Sequence, residues 1–187
     1  MKLRFVVPVL VFGVLVATFA LMLRRTGQGE YDPRVIQSPL IGKSAPTFTL
    51  PRVEDPNLTV STNDYRGTVY VLNVWGTWCA GCRQEHATLL AIAKQGLVPI
   101  VGLDTRDELA DSQRWLSKLG NPYSATALDT DGRVAIDWGV YGAPETFLVD
   151  ANGTIVHKYI GPLSLAAWQQ QFVPLIEQAK RGAKAGS

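Results

Sequence analysis

Apolar and polar positions fall into three regimes along the chain. The first is residues 5–23, nineteen positions without a charge, which as a helix would span roughly 28 Å and just cross a bilayer. Pro8 near its start and Gly13 within it are tolerated in a lipid-embedded helix. From Arg24 to Lys43 the pattern turns polar, is broken by Gly27, Gly29, Pro33 and Pro39, and has no helical or strand period, so it reads as a tether. Thereafter the periods alternate. Residues 47–50 form a short strand candidate, and 53–64 a turn-rich connection around Pro56. Residues 68–75 are β-branched and nearly all apolar, the mark of a strand buried on both faces. Gly76-Thr77-Trp78 ends that strand, and a helix from Cys79 to about Lys94 is expected to turn Ala87, Leu90, Ala91 and Ile92 inward. A second buried strand over 98–103 and a helix over 107–119, stopped by Gly120-Asn121-Pro122, continue the alternation. A short strand at 125–128 and a short helix at 134–138 follow. Strands 146–149 and 155–159 flank Asp150-Ala151-Asn152-Gly153, the strongest hairpin signal in the chain. The last helix runs from Ser164, a fitting N-cap, to about Lys180, with Pro174 expected to kink or end it.

Strand, helix, strand, helix, hairpin and closing helix predict an α/β fold of the thioredoxin-like type, a central mixed sheet flanked by helices, preceded by an N-terminal transmembrane helix. The chain of 187 residues with 47% hydrophobic content suits one packed domain and an appendage. The expected organisation is a membrane anchor at 1–25, a tether at 26–43 and a folded domain at 44–187. A net charge of +2 with scattered basic residues argues against nucleic acid. Lys2 and Arg4 before the apolar run nearly balance Arg24 and Arg25 after it, and the N-terminal amine tips the orientation towards N-terminus inside. A signal peptide cleaved after Ala20 is the rival reading. Against it, the apolar run continues through Leu21, Met22 and Leu23.

Only two cysteines occur, Cys79 and Cys82, spaced as CxxC at the junction of a predicted strand and helix. Unpaired N–H groups and the helix dipole favour a thiolate at the first of them, so Cys79 is the expected attacking sulfur. Cys82, most of a helical turn deeper, is within bridging reach and suited to resolve a mixed disulfide. This chemistry needs two sulfurs and no cofactor. Other uses of the pair stay open at this point. Two structural cysteines are one; a zinc site drawing on His86 and His157 is another, although nothing nearby completes four ligands. Haem attachment would need His at position 83, where Arg83 stands.

The runs Trp75-Gly-Thr-Trp-Cys-Ala-Gly-Cys-Arg-Gln-Glu-His86, Gly120-Asn-Pro-Tyr123 and Gly139-Val-Tyr-Gly-Ala-Pro-Glu-Thr-Phe-Leu-Val-Asp150 strongly resemble the CcmG/DsbE family, thioredoxin-like proteins of cytochrome c maturation. The resemblance spans essentially the whole chain. It implies a single-pass protein of the bacterial inner membrane with its soluble domain in the periplasm. It implies a redox-active Cys79–Cys82 disulfide that opens disulfides in the CxxCH segment of apocytochrome c before haem attachment. A membrane thiol transporter as electron donor and the cytochrome c maturation machinery are the implied partners. The family commonly has Pro after its first cysteine; here Ala80 and Gly81 stand between the sulfurs, at positions that affect helix-start rigidity and the balance of dithiol and disulfide.

Three supporting residues come from the same match, and a fourth, Trp78, from its place beside Cys79. Pro144 corresponds to a cis-proline facing the CxxC, where a cis bond would free Ala143 backbone groups for strand-like pairing with a peptide; an ordinary turn proline is the bland alternative. Glu145 corresponds to an acid that relays protons and raises thiol pKa, against a solvated surface residue; in the first reading a Gln there would leave stability nearly unchanged. Glu85 matches a second acid, against an isolated charge on an exposed helix face. Trp78 would shield the thiolate and touch the partner, while Trp75 reads as core. His86 reads as helix surface, and His157 has no evident role. Two other functions remain: a general extracytoplasmic thioredoxin-like reductant, and a non-catalytic module that binds apocytochrome while its cysteines stay bridged.

Overall fold

The computed structural model describes residues 3–27 and 38–185, with side chains over 7–8, 10–22 and 38–183. The chain divides into two compact units, 1–35 and 36–187. The first carries α1 (Leu3–Gly27), whose described side chains are exposed throughout. No helix among the described residues is long and apolar enough to cross a membrane, so the expected transmembrane helix rests on the sequence. Of the expected tether, residues 28–37 lie outside the described residues. Ser38 is buried, and the Gly42 N–H and Lys43 carbonyl are hydrogen-bonded to the backbone of Ile155.

The second unit contains β1 (Thr49–Pro51), β2 (Thr59–Ser61), β3 (Tyr70–Trp75), α2 (Ala80–Ala93), β4 (Ile100–Thr105), α3 (Leu109–Leu119), β5 (Ala125–Asp129), α4 (Arg133–Asp137), β6 (Glu145–Val149), β7 (Ile155–Ile160), α5 (Leu165–Ala167) and α6 (Val173–Ala185). A five-stranded sheet has the order β5-β4-β3-β6-β7. Its β3–β4 and β4–β5 pairs are parallel, and its β3–β6 and β6–β7 pairs antiparallel. This is the mixed sheet between helices that the sequence predicts. Strand β1 overlaps the short strand expected at 47–50; its antiparallel partner β2 and a 3₁₀ turn over Thr62–Tyr65 lie where only a turn-rich connection is expected.

Strand β3 is buried at every position, so its period-two alternation feeds two cores rather than one core and solvent. Tyr70, Leu72 and Val74 pack with Phe48, Leu103, Trp138 and Phe147. Val71 and Trp75 pack with Leu89, Trp115, Trp168 and Phe172. Asn73 falls by alternation on that second face, the face covered by α2, and is a polar residue in an otherwise apolar strand. Near the chain end a π-helical turn over Trp168–Phe172 joins α5 to α6 and stacks its two end rings at 5.4 Å between centroids. Pro174 follows it, where the missing N–H breaks a regular ladder.

Helix α2 turns a different face inward from the one its apolar residues suggest. The buried positions are Cys82, Glu85, His86, Leu89 and Ile92; of the residues expected inward, Ile92 is thus buried, Leu90 and Ala91 are half-buried and Ala87 is exposed. The spacing is helical, but two of the five residues carry a carboxyl and an imidazole, and their partners come from other elements.

Candidate active site

Cys79 is the N-cap of α2, and its Sγ accepts the Cys82 backbone N–H at 3.0 Å. A sulfur in that place receives one of the orphan donors of the helix start and sits at the positive end of the dipole. The two sulfurs are bonded to each other, with Cα atoms 5.3 Å apart, and both residues are buried. The preceding turn is held from β4 and the segment after it. The Thr77 N–H and hydroxyl donate to Asp107 Oδ2 (2.5 Å) and Oδ1 (2.8 Å), and Trp78 Nε1 donates to the Thr105 carbonyl at 3.0 Å. Trp78 stays 55% exposed beside the disulfide, whereas Trp75 is in the core, stacked on Tyr123.

The Ala143–Pro144 peptide bond is cis. Pro144 lies against the CxxC segment: a Cβ added at Gly81 would be 2.9 Å from Pro144 Cδ and 3.2 Å from Pro162 Cγ. Two proline-bearing loops thus close over position 81, and only glycine leaves them where they are.

Beneath the helix start is a buried polar network. Glu85 is 1% exposed, not on an open helix face. Its Oε2 accepts the Leu163 N–H (2.7 Å) and its Oε1 accepts from Asn73 Nδ2 (2.9 Å). Asn73 Nδ2 also donates to Thr146 Oγ1 (3.1 Å), and the Tyr123 hydroxyl donates to Asn73 Oδ1 (2.8 Å). Burial pushes the Glu85 carboxyl up to about 7, against the downward pull of those two donors. Asp104, buried with the Ser112 hydroxyl on its Oδ2, is pushed up to about 8, again chiefly by burial. His86 is likewise inside rather than on the helix surface. Trp115 Nε1 donates to its Nδ1 (3.2 Å), which puts the ring proton on Nε2, 2.9 Å from the Gly120 carbonyl. Burial holds this imidazole below its ordinary value. With both nitrogens taken, His86 has none to offer a zinc ion. His157 packs edge-on to Phe172.

Glu145 is placed differently from both sequence expectations. It is fully buried, its Oε1 accepts the Tyr141 N–H (2.9 Å), and its Oε2 lies 2.8 Å from Lys158 Nζ, with both side chains wholly enclosed. A partner that close removes the grounds for expecting Gln to be harmless there. Sequence reasoning passed over Asn73, Tyr123 and Lys158. Asn73 carried a signal, as the one polar residue of an apolar strand. Lys158 carried none.

The Glu85 carboxyl titrates at its ordinary 4.5 in the unfolded chain and at about 7 in the fold. The fold therefore binds that proton more tightly. The resulting stabilisation is complete below 4.5 and is lost as pH rises through about 7. Glu85→Gln removes this titration, so between those limits the wild type should lose on the order of 3 kcal/mol relative to the variant. Denaturant midpoints of the oxidised proteins across that pH range check it, and parallel profiles would refute it.

A family model described as Redoxin matches residues 40–167. The thiol:disulfide interchange protein DsbE of Yersinia pestis is 43% identical over 183 residues, covering 97% of this chain and 96% of its own. Its namesake from Escherichia coli (strain K12) is 38% identical over 178 residues, 95% of each. Among solved structures, a secreted thiol-disulfide isomerase from Corynebacterium glutamicum has a TM-score of 0.63 over 71% of this chain and 85% of its own, at 22% identity, a likeness of fold.

Proposed function

The chain belongs to the Redoxin family and, within it, to the DsbE thiol:disulfide interchange proteins, and from that premise we propose that it reduces the disulfide of apocytochrome c CxxCH segments on the periplasmic face of the inner membrane. It is a thiol:disulfide oxidoreductase. The observation that carries the proposed roles is the Cys79 sulfur at the N-cap of α2 with the Cys82 N–H upon it.

In the reduced protein the Cys79 thiolate attacks one sulfur of the target disulfide. A Cys79–target bond forms, the target S–S bond breaks, and the departing target thiolate takes a proton. Cys82 then loses its proton and attacks Cys79 Sγ, which forms the intramolecular disulfide and expels the second target thiolate. Two electrons pass from the protein to the target, and the donor's thiols restore them. Glu85, one helical turn beyond Cys82 and titrating at about 7, is suited to accept the Cys82 proton. The cis Ala143–Pro144 segment offers backbone to an incoming chain, and Trp78 flanks the attacking sulfur. The uncharged run 5–23 supports an anchor at 1–25, followed by a tether at 26–43 and the catalytic domain at 44–187.

Full-length Cys82→Ser, expressed in membranes with apocytochrome, tests the proposal. It should accumulate in the membrane fraction as a mixed disulfide between Cys79 and a CxxCH cysteine. Captured partners without CxxCH would favour the general extracytoplasmic reductant instead.

A further inference from the structure

Lys158 is the only lysine among the fully buried large side chains of the described residues, and its ammonium is spent on one loop. Nζ donates to the Gly139 carbonyl at 2.7 Å, lies 2.8 Å from Glu145 Oε2, and sits 4.8 Å from the centroid of the Tyr141 ring. The Tyr141 N–H returns to Glu145 Oε1. Lys158 thus touches both ends, Gly139 and Glu145, and the middle, Tyr141, of the segment 139–145, which leads from α4 through cis-Pro144 into β6. Strand β7 thereby holds, from behind, the loop that closes over Gly81.

Stability alone does not call for this arrangement. Enclosing a carboxylate and an ammonium costs several kcal/mol each, and a well-packed apolar pair often does as well or better. What an apolar pair would not supply is the hydrogen bond to Gly139 or the cation beneath the tyrosine ring. On its outward side the same loop presents Tyr141, 74% exposed, which with Trp78 and Ile136 borders a slot of about 70 Å³ beside Ala143.

We infer that Lys158 is a positioning residue for polypeptide substrates: held by Glu145, it fixes Gly139 and Tyr141 so that the 139–144 loop meets an incoming chain in one geometry. The inference rests on the reading that partners approach Cys79 across Pro144, and not on the identity of the target. A small disulfide touches only the sulfurs and does not need the loop. The specificity ratio between a peptide and a small disulfide is therefore the quantity Lys158 controls.

Lys158→Met alone leaves the Glu145 carboxylate buried without its cation, so the double variant Glu145→Gln/Lys158→Met decides. It removes both charges and keeps an acceptor for the Tyr141 N–H. The full chain is assayed with a short peptide closed by a CxxC disulfide and with hydroxyethyl disulfide. In the folded double variant the ratio of kcat/KM for peptide to that for the small disulfide should fall roughly tenfold, carried by KM. A wild-type protein that does not distinguish the two disulfides would remove the reading that partners cross Pro144, and this inference with it. A wild-type preference that the double variant retains would overturn the inference alone. A double variant that fails to fold would make Lys158 a residue of the fold and overturn it as well.

Discussion

Serine at position 79 should abolish turnover, whereas serine at position 82 should stop it halfway. The one other sulfur of the chain's two cysteines is Cys82, which lies within α2 rather than at its N-cap and so lacks the place that activates Cys79. A serine hydroxyl at the same N-cap would still accept the helix N–H, but it stays protonated at neutral pH and has no adjacent base to activate it. Loss of at least roughly 10³-fold in the rate of peptide disulfide reduction is expected, of the kind seen when an enzyme loses its nucleophile. Cys82→Ser keeps the nucleophile and loses the resolving thiol, so it should bind one target molecule covalently and release none. Stopped-flow and non-reducing mass analysis distinguish the two. Turnover by Cys79→Ser, or covalent capture by it, would reverse the assignment of the sulfurs.

The parts of this fold that were legible in sequence are those decided locally. The uninterrupted apolar strand before Trp75, the CxxC-opened helix, the Asp150-Ala151-Asn152-Gly153 hairpin and the stop at Gly120 each carry their own chemistry of turn, cap or period, and each appears within a few residues of its expected place. The buried face of α2 is legible only in part. Apolar periodicity selects Ala87, Leu90, Ala91 and Ile92; of these Ile92 is buried, and Glu85 and His86 turn inward as well. Their burial is made possible by Leu163, 78 positions away in sequence, and by Trp115, 29 positions away. A carboxyl and an imidazole are read as surface groups unless their donors and acceptors are known, and those come from the tertiary fold. The short strand β2 is missed for a related reason: three residues give no measurable period, whereas its partner β1 overlaps the strand expected at 47–50.

Glu145 shows how far such a partner changes an expectation. From the sequence, its place after Pro144 suggested an acid tuning the thiols, replaceable by Gln at little cost. In the fold its carboxylate is fully enclosed and shared between the Tyr141 N–H and Lys158. Gln has one oxygen where Glu has two. Whichever of the two partners keeps it, the other meets an amide NH₂, donor against donor, and Lys158 is left as a buried cation without its counter-ion. Glu145→Gln should therefore destabilise the oxidised protein by about 3 kcal/mol, the lower end for breaking a buried ion pair, because one acceptor survives. The denaturant midpoint should fall with the m value unchanged. Adding Lys158→Met should recover most of that loss, since the second substitution removes the stranded charge rather than a further contact. The thiol titration should stay in place where the sequence expectation has it fall: a carboxylate with an ammonium 2.8 Å away projects little net field on Cys79, so thiolate absorbance against pH should nearly superimpose for wild type and variant. Unchanged stability together with a lowered thiol pKa would restore the first reading of Glu145 and remove the ion pair from any role in holding the fold.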